Sequence, residues 1–210
     1  HTPVECALRV ATIICSLGLA AALFNKYGST RMLPLLVWAG VFSMLGIFNV
    51  TMFRLHQLLT SNITQWGAPG AKIAHIPVSP ETIGKAFFYT LIASWGLCEV
   101  FFLLGALLIV WRLKESIAIS FILAVCIIAP GALGYTVISE AFSYITIAAA
   151  LAIFLYSYAK AKTLKALIVG VGAIFLAIHF SLGLKITEIS LLTAIIATII
   201  IGYGLFAVKK

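Results

Sequence analysis

The chain contains no aspartate and very little charge of any kind. Charged residues make up 10% of its 210 residues, whereas hydrophobic residues make up 63%. Because soluble domains are normally about a quarter charged, this composition excludes a water-soluble globular domain. All six acidic residues are glutamates, which disfavours chemistry that relies on aspartate, such as an aspartyl phosphate or an aspartate dyad.

Cysteine is also scarce, and its placement indicates neither a disulfide framework nor a metal centre. The four cysteines are Cys6, Cys15, Cys98 and Cys126. They show no CxxC motif and no Cys/His ligand spacing. Cys15, Cys98 and Cys126 fall well inside apolar runs, where a free cysteine usually behaves as a small apolar residue.

Seven apolar runs are each long enough to cross a bilayer, which takes roughly 20 residues in a helix. These runs cover about 4–24, 32–53, 85–111, 116–138, 142–158, 166–184 and 189–208. We therefore predict an all-α, polytopic membrane protein, a bundle of seven transmembrane helices that forms a single transmembrane domain over residues 1–210. The one long loop is expected at about 54–84, where glycines and prolines exclude a continuous helix. A break or kink is expected near Pro130 in the fourth run.

The lysines and arginines are unevenly divided between the two sides of the predicted membrane domain. Seven spans place nine of the 14 on the side of the C-terminus and five on the side of the N-terminus. Since cytoplasmic flanks are enriched in lysine and arginine, we predict a protein integral to the cell membrane, with its C-terminus in the cytoplasm and its N-terminus outside. The long loop then lies outside, and the sequon at Asn62 makes this residue the glycosylation candidate. Trp38, Trp66 and Trp111, near the predicted interfaces, are expected in the interfacial aromatic belt.

Glu99 is the candidate site residue with the clearest chemical rationale. It lies near the middle of the third run. A carboxylate at that depth is costly, and such residues usually face the bundle interior or water. Two interpretations stay open: a proton or cation site, or a structural hydrogen bond to a neighbouring helix.

His179, in the sixth run, is the second candidate for a proton, ion or interhelical polar site. A bis-histidine haem would need another histidine at matching depth, and no other run contains one. We therefore predict no cofactor and no metal. An outer polar cluster is expected from Arg9, Asn49, Arg54 and His56, with ordinary interfacial residues as the alternative interpretation.

The function is less defined than the fold. Because no nucleophile is paired with a base, the sequence gives no indication of catalytic activity. Microbial rhodopsins also have seven spans and an outside N-terminus, but the seventh run here contains no lysine for a Schiff base. The positive charges flank the spans, so nucleic acid is not an expected partner.

Two functional expectations remain. The first is a non-catalytic integral subunit of a larger membrane complex, for example a respiratory one. Such a subunit would contact lipid and either other membrane subunits or further copies of itself. The alternative is a small proton- or cation-coupled transporter or channel that uses Glu99 and a helix interrupted at Pro130.

Overall fold

The computed structural model is a seven-helix bundle, which confirms the predicted fold class. It describes the backbone of residues 2–60, 72–73, 76–77, 80–183 and 187–207, and the side chains of residues 2–55, 84–183 and 187–207. The helices are α1 Pro3–Thr30, α2 Leu33–Thr60, α3 Pro80–Val110, α4 Leu113–Ala132, α5 Thr136–Ala161, α6 Leu164–Leu182 and α7 Thr187–Phe206. Two short strands, β1 Lys72–Ile73 and β2 Ile76–Pro77, pair antiparallel between α2 and α3.

Each helix is long and apolar enough to cross a membrane, with lengths from 19 residues in α6 to 31 in α3. Apolar side chains lie on both the outward and the inward faces. This is expected where the outward face contacts lipid and the inward face packs on other helices, because lipid tails are as apolar as leucine. The protein is therefore membrane-embedded.

Six helices form a closed ring, and α4 packs outside it. Within the ring each helix contacts the next in the order α1, α2, α3, α5, α6 and α7, and α7 closes onto α1. Helix α4 packs against α3 and α5. The approach of α6 to α7 depends on Gly172, because a Cβ atom there would collide with the Ile201 side chain.

The two ends of the ring differ in charge and in their connections. We call the end with the start of α1 and the α2–α3 connection the loop end. The opposite end, called the basic end, carries Lys26, Arg31, Arg112, Lys114, Lys160, Lys162 and Lys165. Its α1–α2 and α5–α6 turns each pass through one residue with positive φ, Arg31 at 55° and Lys162 at 49°.

Several helix ends differ from the sequence prediction, and α1 and α5, for example, are longer than their apolar runs. The loop expected at about 54–84 is shorter, because α2 continues to Thr60 and α3 begins at Pro80. A proline is favourable at the first helical position. The fourth span ends at Ala132 rather than near residue 138, because Pro130 lies in the last turn of α4. The break expected near Pro130 is therefore present, but it ends the fourth span, and residues 136–138 belong to α5.

Candidate functional site

The inward-facing residues of the ring change from polar to apolar between the loop end and the basic end. The buried face of α1 reads, in order, Glu5, Arg9, Thr12, Ser16, Ala20 and Leu23. Helix α2 runs the other way, and its buried apolar residues are followed by Asn49 and Thr51 near the loop end. The interior of the ring thus has a polar half at the loop end and an apolar half at the basic end.

Four aromatic side chains fill the apolar half. These residues, here called the aromatic plug, are Trp38, Phe42, Phe102 and Phe154. The ring centroids of Trp38 and Phe154 lie 5.6 Å apart, and those of Phe102 and Phe154 lie 5.4 Å apart. Trp38 is only 4% exposed, so its predicted place in the interfacial belt is wrong. Trp111, which is 55% exposed, lies at the basic end.

Glu99 lies at the boundary between the polar half and the aromatic plug. Its side chain is fully buried, and the Ser143 hydroxyl from α5 lies 2.6 Å from each carboxyl oxygen. The Trp95 indole, one turn back along α3, lies beside this carboxyl. Phe102 lies about one turn further toward the basic end. Glu99 therefore faces the interior and links α3 to α5.

Glu99 lies closer to the loop end than its position in α3 suggests. It is near the middle of the Gly84–Val110 span. Its partner Ser143, however, is only about two turns from the start of α5 at Thr136. Because α3 extends further than α5 at the loop end, the carboxyl belongs to the loop-end half of the ring.

His179 lies near the loop end of α6 and is buried. Its Nδ1 atom is 2.8 Å from both the hydroxyl and the carbonyl oxygen of Ser190 on α7. Its Nε2 atom is buried without a hydrogen-bond partner among the described residues. The His179 ring packs against Trp95 with 5.4 Å between centroids. Trp95 thus contacts both His179 and Glu99.

Arg9 forms the centre of a second buried polar group at the same end. Its Nη2 atom donates to Glu5 Oε1 at 2.9 Å, and its Nη1 atom donates to Asn49 Oδ1 at 3.1 Å. Asn49 in turn donates to the Leu45 carbonyl of its own helix. His179, near the end of α6, is buried at the same end of the ring interior. The structure thereby brings Arg9, Asn49 and His179 to one end of the ring interior.

The structure gives less information on the other residues named from the sequence. Arg54 is exposed on α2, five residues beyond Asn49. His56 belongs to α2, but its side chain lies outside the described residues, and Asn62 and Trp66 lie outside them altogether. Across the described ranges, no group of three or more histidine, cysteine or acidic side chains could hold a metal ion.

The partners of the candidate residues were not identifiable from the sequence. Ser143 and Ser190 are small polar residues in apolar runs, and no local pattern distinguishes them from the serines at other positions. Thr2 could have been found, since Thr2 and Glu5 have the spacing of a capping box. The Thr2 hydroxyl accepts from the Glu5 amide at 3.1 Å and donates to Glu188 on α7 at 2.6 Å. It therefore joins α1 to α7 at the loop end.

Comparison of the chain with protein-family models, with curated proteins and with solved structures finds no significant match. The functional argument therefore depends on the geometry of the site alone.

Proposed function

We propose that the protein is a small proton- or cation-coupled transporter or channel in which Glu99 is the ionisable site. The observation that carries this proposal is the group of polar side chains between the loop end and Glu99. Arg9, Asn49 and His179 are buried there, and the half-buried Trp95 packs against His179 and lies beside the Glu99 carboxyl. Ionisable residues inside a membrane bundle commonly mark ion or proton pathways.

The polar side chains between the loop end and Glu99 suit a small cationic species better than a large solute. A carboxyl group at Glu99 can bind a proton directly, or it can neutralise a cation through its two oxygens. Arg9 already has Glu5 as an ion-pair partner at 2.9 Å, so its charge does not need Glu99 for compensation. The groups beside Glu99 are neutral: the Ser143 hydroxyl, which is hydrogen-bonded to it, and the Trp95 indole.

In this conformation the aromatic plug closes the route that an ion would take from Glu99 to the basic end. Three rings of the plug pack against one another on the basic-end side of Glu99, those of Trp38, Phe102 and Phe154. Transport therefore requires these rings to move, while the polar half stays on the side from which the ion enters. Alternating access of this kind operates around a site buried within the membrane.

Flux measurements on the purified protein in liposomes test this proposal. With an imposed proton, sodium or potassium gradient, the wild-type protein is expected to increase ion flux above that of protein-free liposomes. Glu99→Gln should abolish this flux while the protein still inserts and folds, because the amide keeps hydrogen-bonding capacity but cannot ionise. Glu140→Gln is the matched control, since Glu140 is exposed on α5, and it should retain wild-type flux. Equal flux through the wild-type and Glu99→Gln proteins excludes the proposal.

The second candidate function is a non-catalytic subunit of a larger membrane complex. It is favoured by the fact that Glu99, Arg9 and Asn49 each already have hydrogen-bond partners within the bundle. A purely structural interior has this character. Native purification distinguishes the two: partner proteins present in a fixed ratio, together with a wild-type chain that conducts no ion, support the subunit.

A further inference from the structure

A cavity lies between helix ends at the basic end, on the side of the ring away from the Arg9 group. Its volume is about 230 Å³, and it is bounded by the ends of α3 and α5 and by the start of α6. Ile109 on its rim is 52% exposed, so the cavity reaches the lipid-facing surface of the bundle. Pockets for drug-sized ligands usually measure about 300–1,000 Å³. This cavity is smaller, so it fits only one part of a larger molecule.

On α5 and α6 the lining of the cavity is polar near the helix ends and apolar one turn deeper, and α3 contributes the apolar Ile109. On α5, Ser157 lies near the end of the helix and Phe154 lies one turn deeper. On α6, Lys165 is in the first turn and Val169 is one turn deeper. Both helices therefore present the same gradient, which matches the boundary between the headgroups and the acyl chains of a bilayer.

The polar part of the cavity favours a negatively charged group. Lys165 lines it and has no hydrogen-bond or ion-pair partner among the described residues. Thr163 caps α6 by accepting from the Ala166 amide at 3.2 Å, and the start of a helix favours anions. Lys162, in the turn between α5 and α6, adds positive charge nearby.

We propose that this cavity binds an anionic phospholipid, with the lipid phosphate beside Lys165 and an acyl chain along Phe154 and Val169. Basic pockets between transmembrane helices are suited to anionic headgroups. The proposal does not rest on ion flux through Glu99, because the charged part of the site, at Lys165, is at the basic end. Phe154 is the one residue that the cavity shares with the aromatic plug.

Lipid-dependent thermal stability tests the proposal on the full chain in detergent, after removal of bound lipid. Phosphatidylglycerol should raise the melting temperature more than phosphatidylcholine with the same acyl chains. Lys165→Gln should weaken the apparent affinity for phosphatidylglycerol roughly fivefold, the effect of losing one lysine near an anionic surface. Lys160→Gln, which removes an exposed lysine that does not line the cavity, should keep the wild-type response.

A second variant, Ala166→Phe, keeps Lys165 and fills the cavity, and it should also lose the preference for phosphatidylglycerol. If this variant does not fold, the comparison of Lys165→Gln with Lys160→Gln still tests whether the preference for phosphatidylglycerol depends on Lys165. Equal weakening by both lysine variants would show a diffuse surface attraction and overturn the proposal. Equal stabilisation by phosphatidylcholine also overturns it, and so does an equal effect of inorganic phosphate alone, which would indicate a phosphate site without a lipid.

Discussion

Arg9 and Glu5 form an ion pair that is largely shielded from solvent. Their side chains are 4% and 9% exposed, and the atoms of the pair lie 2.9 Å apart. They are spaced i,i+4 with the acid first, the favourable order on a helix. Since both charges are buried, the loss of one partner leaves an uncompensated charge, which costs far more than the loss of a surface pair.

We therefore expect Glu5→Gln to lower the free energy of unfolding by about 3–5 kcal/mol, the range for breaking a buried pair. The double variant Glu5→Gln with Arg9→Gln should lose less than the sum of the two single variants, because it leaves no unpaired charge. Denaturation of all four proteins in one detergent measures the coupling. Strictly additive losses would show that the two side chains act independently.

The cost of exposing the Glu99 carboxylate to lipid predicts that its side chain faces inward. The identity of its partners cannot be predicted in this way. The cost of exposing a carboxylate to lipid depends only on the residue and its depth, so one sequence is enough to predict burial. The choice of Ser143 depends on how α5 is rotated and how far it is shifted along α3. Those quantities arise from packing across the bundle, and no local pattern in the sequence records them.

At the level of single helices, hydropathy predicted their number well and their ends less well. The turn between α4 and α5 contains Leu133 and is followed by Val137 and Ile138, so the apolar run continues through it. The end of α4 is marked instead by Pro130 and by Gly134, which has a φ of 86°. Glycine adopts this conformation without the strain that a side chain would cause. At this position the proline and the glycine therefore predict the end of the helix better than hydropathy does.

The contact between α6 and α7 gives a test of helix packing with an internal control. Gly172→Ala places a Cβ atom against Ile201, whereas no atom lies within 4 Å of a Cβ added at Gly170. We expect Gly172→Ala to destabilise the protein by about 1–3 kcal/mol, as overpacking usually does. Gly170→Ala should leave stability unchanged or raise it, because alanine is the better helix former. Melting temperatures of both variants provide the measurement, and equal shifts would contradict this packing.

At the level of the whole molecule, the polar and charged groups are arranged unequally along the membrane normal. The interior polar groups gather at the loop end, whereas most of the described lysines and arginines lie outside the ring at the basic end. The two distributions have different causes. Interior groups are positioned by partners on facing helices, and the external charges lie where helix ends meet water and headgroups.

The external charges determine the orientation that we expect in the cell. Nine of the 14 lysines and arginines belong to the side of the C-terminus, and cytoplasmic flanks are the ones enriched in these residues. A reporter fused after Lys210 should therefore be active only in the cytoplasm, and one inserted between residues 61 and 79 only outside. Replacing Lys160, Lys162 and Lys165 with glutamine should weaken this preference, because it removes three of the nine charges. With seven helices fixing the two termini on opposite sides, the reverse pattern would mean that charge does not orient this bundle.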